Sequence, residues 1–539
     1  MANAEWWKTG VVYQVYVRSF ADGNGDGTGD IAGLRSRLPY LKDLGVDALW
    51  MNPWYDSPFR DGGYDVADYR KIDERFGTTA EVEELIVEAH ELGIKIIADL
   101  VPNHTSTEHV WFQEALAAAP GSPARNRYVF KQGKGENGEL PPTNWTAVFG
   151  GSTWEPVGDG TWYLHIFDVS QPDLNWENEE VRAEFDSVFR FWLDRGVDGF
   201  RIDVAHGMVK DQSFPDVKKA AVLLEAERVE NHPFWDRKDG IHEINRRFRS
   251  VIDEYDDRMM VAEAWVSPDR LPLYLRPDEY HQSFNFDLLS TNWNAADFIK
   301  VIKESVKAAE EIGAASTWVL SNHDVMRHAT RYGLDEGVNW RTWPITGPVE
   351  ALDAELGNRR ARAACLITLS LPGSTYVYQG EELGLPEVWD LPEDVLDDPT
   401  WVRSGGEQKG RDGSRVPIPW EPSGPSFGFG AGNAWLPQPD SFGALSAAVQ
   451  VDDEASMLRL YQAAIAARRE HLVGDQSFEA VDMGPDVVAY RRGDVLVAVN
   501  MGEAGIPIPE GTVLLSSLPE LTTEIPPDAA IWISSPMCG

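Results

Sequence analysis

The sequence has little cysteine and a deficit of basic residues. Its 539 residues include only two cysteines, Cys365 and Cys538, too few for a disulfide framework, so we expect the reducing conditions of the cytoplasm. The 48 Lys and Arg residues are outnumbered by 87 Asp and Glu residues, which gives a net charge of −39. Such a surface repels nucleic-acid phosphates and anionic lipids, and therefore excludes both as expected partners. A neutral ligand suits this charge, and so does a need for solubility alone.

Long hydrophobic runs are also missing. No apolar stretch reaches the roughly 18 residues of a membrane helix. The start, Met1 to Lys8, shows no basic region followed by an apolar core, so we expect neither an anchor nor a signal peptide. The composition, 43% apolar and 25% charged, is typical of a soluble globular protein. We expect a monomer or a homodimer.

Short β-rich runs alternate with longer helical patterns along most of the chain. One helical run, Glu81 to His90, places Val82, Leu85, Ile86 and Ala89 on a single face. Eight strands that are each followed by a helix predict a parallel sheet closed into a (β/α)8 TIM barrel, an α/β fold. The predicted strands are Gly10 to Val17, Ala48 to Pro53, Ile94 to Val101, Gly199 to Ala205, Met260 to Trp265, Gln282 to Leu288, Ser316 to Asp324 and Ser374 to Gly380.

Two segments depart from this repeat. The segment 103–173 has little helical period and is too long to be structureless in a compact domain, so it predicts an inserted subdomain. The tail 472–539 holds short β-type runs and predicts a small antiparallel β domain. We therefore expect residues 1–102 and 174–471 to form the two parts of the barrel, and the Pro- and Gly-rich stretch Pro417 to Pro437 to cross its mouth as a loop.

Polar side chains cluster at four of the predicted strand ends: Ala98 to His104, Gly199 to His206, Val261 to Trp265 and Leu320 to Asp324. A carboxylate or histidine in an apolar strand is costly unless it is paired. Structural networks explain single cases, but four at the rim where barrel enzymes place their chemistry indicate an active site. Glycosidic cleavage fits, because it needs one carboxylate as nucleophile and a second as acid and base. Arg201 lies on the same side of its strand as Asp203 and can keep that carboxylate ionised.

These motifs resemble those of the α-amylase-type glycoside hydrolase family, and more narrowly its α-glucosidase and oligo-1,6-glucosidase branch. The resemblance covers nearly the whole chain, from Gly10-Val-Val-Tyr-Gln-Val-Tyr-Val-Arg-Ser-Phe20 to Ser374-Thr-Tyr-Val-Tyr-Gln-Gly-Glu-Glu-Leu-Gly384. It includes Gln171-Pro-Asp-Leu-Asn175, a segment typical of that branch. Each motif is weak alone, but the combination is highly specific.

The resemblance implies a catalytic role for three carboxyl groups. Asp203 is implied as the nucleophile and Glu263 as the acid that protonates the leaving oxygen and then activates water. Asp324 is implied to bind sugar hydroxyls and to favour the oxocarbenium-like state. Such enzymes retain the anomeric configuration, which requires the first two carboxyl groups to lie roughly 5 to 5.5 Å apart.

Further implied residues close a pocket around one sugar. In Asp61-Gly-Gly-Tyr-Asp65, Asp61 is implied to bind the outermost hydroxyls and Tyr64 to stack on the ring. Arg411 matches the arginine that pairs with this aspartate. A pocket closed at one end admits only a chain terminus, so the expected action is exo. The remaining implied substrate contacts are His104, Arg201 and His323.

The segment Asp22-Gly-Asn-Gly-Asp-Gly-Thr-Gly-Asp30 carries oxygen-bearing side chains at alternate positions. Hard oxygen ligands at this spacing suit Ca²⁺ or Mg²⁺, whereas the aspartates would repel a phosphate. A plain Asp/Gly turn is the alternative. The resemblance implies a structural calcium site formed by the side chains of Asp22, Asn24, Asp26 and Asp30 and the carbonyl of Thr28.

The expected function is therefore a retaining exo-α-glucosidase that releases glucose from short malto- or isomalto-oligosaccharides or disaccharides. A transglucosylase or a sucrose- or trehalose-forming isomerase on the same scaffold is the alternative, because water and a sugar hydroxyl compete for one glycosyl-enzyme intermediate. A non-catalytic binding subunit predicts missing carboxylates, but all three are present. The residue after the implied nucleophile is Val204, and in that branch a valine at this place accompanies tolerance of α-1,6 bonds. The next residues, Ala205 and His206, depart from the usual pattern of the branch, so the linkage preference stays open.

Overall fold

The computed structural model describes residues 5–217, 232–238, 240–521 and 523–534. Within these ranges a nearly closed barrel of eight parallel strands forms the centre of the molecule. Thr317 spans the gap between the terminal strands, because its hydroxyl donates to the Ser283 carbonyl at 2.7 Å. The predicted TIM barrel is thus confirmed. Its strands, β1 to β8, are Val11–Val15, Ala48–Met51, Lys95–Leu100, Gly199–Ile202, Met259–Ala262, Gln282–Ser283, Thr317–Val319 and Ser374–Tyr378. The order of these strands around the barrel is β6-β5-β4-β3-β2-β1-β8-β7.

Each barrel strand is followed by helical structure that packs on its outer face. The sixth strand is shorter than the sequence predicts, because Asn285 accepts a hydrogen bond from the Leu288 amide and starts a helix where the strand was expected to continue. The α-helices among the described residues are Ile31–Ser36, Leu38–Leu44, Thr79–Glu91, Val110–Ala117, Glu179–Leu193, Ile241–Ile252, Leu271–Tyr274, Phe286–Ser290, Ala295–Ile312, His328–Arg331, Trp343–Thr346, Ala354–Ser370, Pro399–Arg403, Ala447–Val451 and Met457–His471. The 3₁₀ helices are Trp6–Lys8, Val17–Ser19, Arg125–Arg127, Val349–Ala351, Glu381–Leu383, Glu393–Val395, Asp412–Ser414, Pro425–Gly428 and Asp440–Gly443.

The helix Thr79–Glu91 shows how the sequence sets these elements. It begins with a capping box, in which Thr78 accepts from the Glu81 amide while the Glu81 side chain accepts from the Thr78 amide. The buried face consists of Val82, Leu85, Ile86 and Ala89, as the periodicity predicts.

The segment between β3 and the helix Glu179–Leu193 forms a separate layer over the barrel mouth. Its three-stranded antiparallel sheet consists of Phe130–Gln132, Thr161–Leu164 and Trp154–Pro156. The segment is tied to the barrel by Lys210, whose ammonium lies 2.8 Å from the buried Asp173 carboxylate. Earlier in the chain, Tyr55–Asp56 and Asp68–Ile72 form a two-stranded sheet.

The C-terminal part of the chain forms an antiparallel sheet, as predicted. Its order is Glu479–Ala480, Val487–Arg492, Val495–Asn500, Ala529–Ser534 and Thr512–Ser516, and a second small sheet pairs Ile506–Pro507 with Glu524–Ile525. One face of the sheet packs into the main core. The buried residues of this face include Val488, Tyr490, Val497 and Trp532.

Buried Arg492 joins this sheet to the barrel. Its guanidinium donates to the carbonyls of Ser370 at 2.7 Å and Leu472 at 2.8 Å, and also to the Asp475 carbonyl. Ser370 and Leu472 lie at the C-terminal ends of two barrel helices, where a positive charge is favoured by the helix dipole. Burial lowers the pKa of Arg492 to about 10, so the side chain stays charged at neutral pH.

Within the ranges given above, no helix combines the length and the apolar character needed to cross a bilayer. Cys365 is buried and unpaired with another cysteine. Cys538 lies outside the described residues, so the reducing compartment stays a prediction.

We expect Arg492→Met to destabilise the protein, because the carbonyls that it serves are left without this donor. Each buried unsatisfied group costs about 1–3 kcal/mol, so calorimetry at a fixed scan rate should show a thermal midpoint lower by several degrees. Arg491→Met is the matched control, because the Arg491 side chain is half-buried and lies on the opposite face of the same strand. Equal midpoints for the two variants would contradict this role.

Candidate active site

The three carboxyl groups singled out in the sequence lie at the carboxyl ends of barrel strands. Asp203 immediately follows β4, Glu263 immediately follows β5, and Asp324 follows β7. Asp203 is 5% and Glu263 6% exposed, so both carboxyl groups are almost fully removed from bulk water. A parallel barrel presents all its carboxyl strand ends at one rim. The rim therefore holds three acidic groups that require partners.

Arg201 is the shared partner of the acidic groups at the base of the site. Its Nη1 lies 2.5 Å from Asp203 Oδ1 and 2.9 Å from Asp99 Oδ1. Its Nη2 lies 2.8 Å from Glu263 Oε2. One guanidinium, only 2% exposed, therefore contacts the predicted nucleophile and the predicted acid/base, which places these two carboxyl groups side by side.

Burial raises the pKa of Asp203 well above its ordinary value, Arg201 opposes this, and the charge of Glu263 raises it further. Burial also raises the pKa of Asp99, to about 6. Burial thus opposes the ionised form of Asp203, and the Arg201 guanidinium 2.5 Å away favours it. Asp203 and Glu263 form an adjacent pair of carboxyl groups on this guanidinium. A retaining glycosidase uses such a pair, in which one carboxyl group is protonated and the other is an anion.

Tyr64 and His323 form one hydrogen-bonded chain with the base of the site. Gln14 Nε2 donates to His323 Nδ1 at 2.7 Å, so His323 carries its proton on Nε2. That nitrogen lies 2.7 Å from the Tyr64 hydroxyl, which donates to Asp99 Oδ2 at 3.0 Å. The two rings are parallel with centroids 5.3 Å apart. Tyr64 therefore stacks on His323, and burial lowers the pKa of His323 so that it is neutral.

A second arginine, Arg411, organises the outer wall. Its Nη2 lies 2.6 Å from Asp61 Oδ1, its Nη1 3.0 Å from Asp324 Oδ1, and its Nε 2.5 Å from Asp398 Oδ2. Arg415 Nη2 lies 3.1 Å from the same Asp324 oxygen. The structure thus brings Asp61 and Arg411 together as the sequence predicts. The pair joins segments that are far apart in the chain.

Asp324 is held as an anion by this wall. Burial acts to raise its pKa, but the pKa nevertheless lies below the ordinary value. The groups that lower it are His323, whose Nε2 lies 3.2 Å from Asp324 Oδ2, and the arginines Arg411, Arg415 and Arg201. Since His323 is neutral, we attribute the effect chiefly to the arginines, of which Arg411 and Arg415 contact Asp324 directly. Asp61 differs, because burial raises its pKa against the opposing charge of Arg411.

His104 lies in the same pocket and is fully buried. Its Nε2 is 3.1 Å from Gln171 Nε2, and the same amide donates to Asp61 Oδ2 at 2.9 Å. Burial lowers the pKa of His104 to about 3, with a smaller contribution from the charge of Lys210. His104 is therefore neutral at working pH, and its hydrogen-bond contact with Gln171 links it to the outer wall.

Several residues of the site are not singled out by sequence reasoning. Asp99 lies inside β3 and Gln171 inside a motif used only for the family resemblance, so the sequence placed both near the site without giving them a role. Their contacts connect residues about a hundred positions apart, which no local pattern reveals. The others are Gln14, Asp398 and Arg415.

The loop between Asp22 and Asp30 lies against the Pro- and Gly-rich segment: the Asp22 amide donates to the Phe429 carbonyl at 2.8 Å. Side-chain oxygens of the loop accept hydrogen bonds from backbone amides within it. Asp22 Oδ1 accepts a hydrogen bond from the Gly25 amide at 2.6 Å. The Asp30 side chain caps the N-terminus of the helix Ile31–Ser36. The side-chain oxygens of Asp22, Asn24 and Asp26 that accept an amide accept only one each, so each keeps a second lone pair suited to a hard cation. Both oxygens of Asp30 already accept two amides. In the part of the chain that the structure describes, no group of three acidic, histidine or cysteine side chains forms a metal-binding cluster.

Comparison with known proteins identifies the family. Residues 14–475 match the model of the α-amylase catalytic domain, and residues 467–532 match a domain of unknown function, DUF3459. An oligo-1,6-glucosidase of Parageobacillus thermoglucosidasius is 35% identical over 527 residues, which are 91% of this chain and 86% of that protein. A probable α-glucosidase of Rhizobium meliloti is 37% identical over 486 residues, 87% of this chain and 83% of that protein.

The fold agrees with the sequence matches. The crystal structure of the trehalulose synthase MutB from Pseudomonas mesoacidophila MX-45 is similar with a TM-score of 0.85 at 30% identity, and the match covers 99% of this chain and all of that one. The family predicted from the sequence motifs is confirmed. This chain belongs to the α-amylase family of glycoside hydrolases.

Proposed function

We propose that this glycoside hydrolase is a retaining, exo-acting α-glucosidase that releases glucose from the non-reducing end of short α-glucosides. The observation that carries the proposal is the Arg201 guanidinium, which contacts Asp203 and Glu263 together at 2.5 and 2.8 Å. This arrangement supplies the adjacent carboxyl pair of double displacement. Similarity to an oligo-1,6-glucosidase and to a probable α-glucosidase supports the same class of substrate.

In the first step, an Asp203 oxygen attacks the anomeric carbon while the bond from that carbon to the leaving oxygen breaks. Glu263 gives its proton to this oxygen, so the leaving sugar departs as a neutral alcohol. Asp203 becomes an ester and Glu263 an anion. Asp324, held as an anion by two arginines, binds sugar hydroxyls and favours the positive charge that develops on the ring.

In the second step, Glu263 accepts a proton from water while the water oxygen attacks the anomeric carbon. The ester bond to Asp203 breaks, and the enzyme returns to its starting protonation state. Two inversions give net retention of configuration. If a sugar hydroxyl replaces water, the same step yields a new glucoside, which is the route to transglucosylation or isomerisation.

The outer wall supports exo action. Asp61 and Arg411 meet at 2.6 Å, and Gln171 connects Asp61 to His104. We propose that these side chains, with His323, bind the hydroxyls of one terminal glucosyl unit, and that Tyr64 stacks on its ring. In this proposal the wall blocks the space beyond the terminal sugar, so a further sugar on that side is excluded. Similarity to a trehalulose synthase makes transfer within the same pocket the second candidate function.

We expect the purified enzyme to release free glucose as the main product from at least one of maltose, isomaltose, sucrose and trehalose. Chromatography of early time points separates glucose from new disaccharides or longer sugars. Asp203→Asn is the control, and its turnover should fall by at least about a thousandfold while circular dichroism stays unchanged. Transfer products without free glucose would favour the second candidate function.

We propose further that the loop from Asp22 to Asp30 holds a structural Ca²⁺ ion, with Mg²⁺ as a weaker substitute. The side chains of Asp22, Asn24, Asp26 and Asp30 and the carbonyl of Thr28 would supply oxygen ligands. The bound ion would offset the mutual repulsion of the three aspartates. It would also stiffen the contact with the segment around Phe429, which lies beside the loop.

We expect excess EDTA to lower the thermal midpoint and added Ca²⁺ to restore it. A ligand at a hundred times its dissociation constant stabilises the folded state by about 2.7 kcal/mol, so the shift is measurable by calorimetry. Asp26→Asn should weaken the dependence on Ca²⁺, whereas Asp43→Asn, a surface aspartate outside the loop, should leave it unchanged. A midpoint that is insensitive to EDTA and Ca²⁺ would favour the plain Asp/Gly turn.

A further inference from the structure

The acid/base carboxyl group has unequal surroundings at its two oxygens. Glu263 Oε2 accepts from Arg201 Nη2 at 2.8 Å and from the Val204 amide at 3.0 Å. Val204 reaches this position with φ of +47°, a left-handed conformation that is uncommon for a β-branched residue. Both lone pairs of Oε2 are therefore engaged, so a proton on Glu263 has to be on Oε1.

The other oxygen, Oε1, accepts one hydrogen bond, from the indole nitrogen of Trp265 at 3.1 Å. Trp265 lies two residues beyond Glu263, and its half-buried ring stacks face to face on Phe286, with centroids 3.7 Å apart and parallel planes. Phe286 is buried and begins the short helix that Asn285 caps. The indole is thus fixed by a rigid neighbour on the next segment of the barrel rim.

We propose that Trp265 is a positioning residue for the acid/base, an inference that rests on the proposed glycosidase function. An indole N–H only donates. When Glu263 is protonated on Oε1, the indole takes the remaining lone pair of that oxygen, and the O–H bond is directed towards the leaving oxygen. When Glu263 is an anion, the same N–H stabilises the charge until water gives up its proton.

This role has a kinetic signature that a purely structural role lacks. The ratio kcat/KM reports the first irreversible step, in which the leaving group departs. A sugar leaving group needs the proton of Glu263, but fluoride leaves without one. Loss of the indole N–H should therefore slow cleavage of a disaccharide far more than cleavage of α-glucosyl fluoride.

The test compares Trp265→Phe with the wild type on α-glucosyl fluoride and on the disaccharide that the wild type cleaves fastest. The phenyl ring keeps an aromatic ring against Phe286 and removes the donor, and the loss of the larger indole ring affects both substrates alike. General acid catalysis contributes about 10²–10⁴-fold, so misdirecting the proton should lower kcat/KM for the disaccharide about tenfold or more. For the fluoride we expect a loss of less than about threefold.

Phe286→Leu removes the stacking partner but keeps the donor. It should produce a smaller loss of kcat/KM, again larger for the disaccharide than for the fluoride.

Trp293→Phe is the matched control. Trp293 is also partly buried and donates its indole N–H to a carboxylate, Asp528 Oδ1, at 2.6 Å, but this contact joins the barrel to the C-terminal sheet. Its kcat/KM should change by less than about twofold for both substrates. An equal loss on both substrates in Trp265→Phe, or no loss on either, would overturn the proposal. Failure of the wild type to release glucose would instead refute the underlying glycosidase function.

Discussion

The site depends on a single buried cation, the guanidinium of Arg201, which holds Asp99, Asp203 and Glu263 together. Burying three carboxyl groups around one positive charge is costly, and burial raises the pKa of Asp203 and of Asp99. The barrel makes the arrangement possible, because Arg201 and Asp203 lie on one side of β4 while β3 and β5 flank that strand. Parallel pairing fixes the register, so these groups meet without help from a flexible loop.

A second cation, Arg411, performs the corresponding task at the outer wall. It collects Asp61, Asp324 and Asp398 from three distant segments, and with Arg415 it keeps Asp324 ionised. The two arginines thus divide the acidic groups into Asp203 and Glu263 at the base and Asp324, an anion, at the wall. Trp265 adds a third element at the rim, an indole N–H that donates to Glu263 Oε1, the oxygen that Arg201 does not contact.

Much of this organisation could be predicted from the sequence. Alternating strand and helix patterns predict the barrel, and the periodic apolar face of Glu81 to His90 predicts a helix at its observed place. The sixth strand was predicted too long, because Asn285 caps a helix inside an apolar run. Asp99, Gln171 and Trp265 carry no local signal for their roles, since each role arises from a contact with a distant segment or from the stacking of a ring on Phe286. The metal ligands and the roles of the individual site residues stay predictions, because they concern bound groups and reaction steps.

The central claim, that Asp203 forms a covalent bond to the glucosyl unit, is tested most directly by trapping this intermediate. A fluorinated α-glucosyl fluoride slows the second step more than the first, so the ester accumulates and mass spectrometry of the digested protein locates it. The account predicts one added fluoroglucosyl group on the peptide that contains Asp203. A label on a peptide with Glu263 or Asp324 instead, or continued turnover of substrate by a fully labelled enzyme, would contradict it.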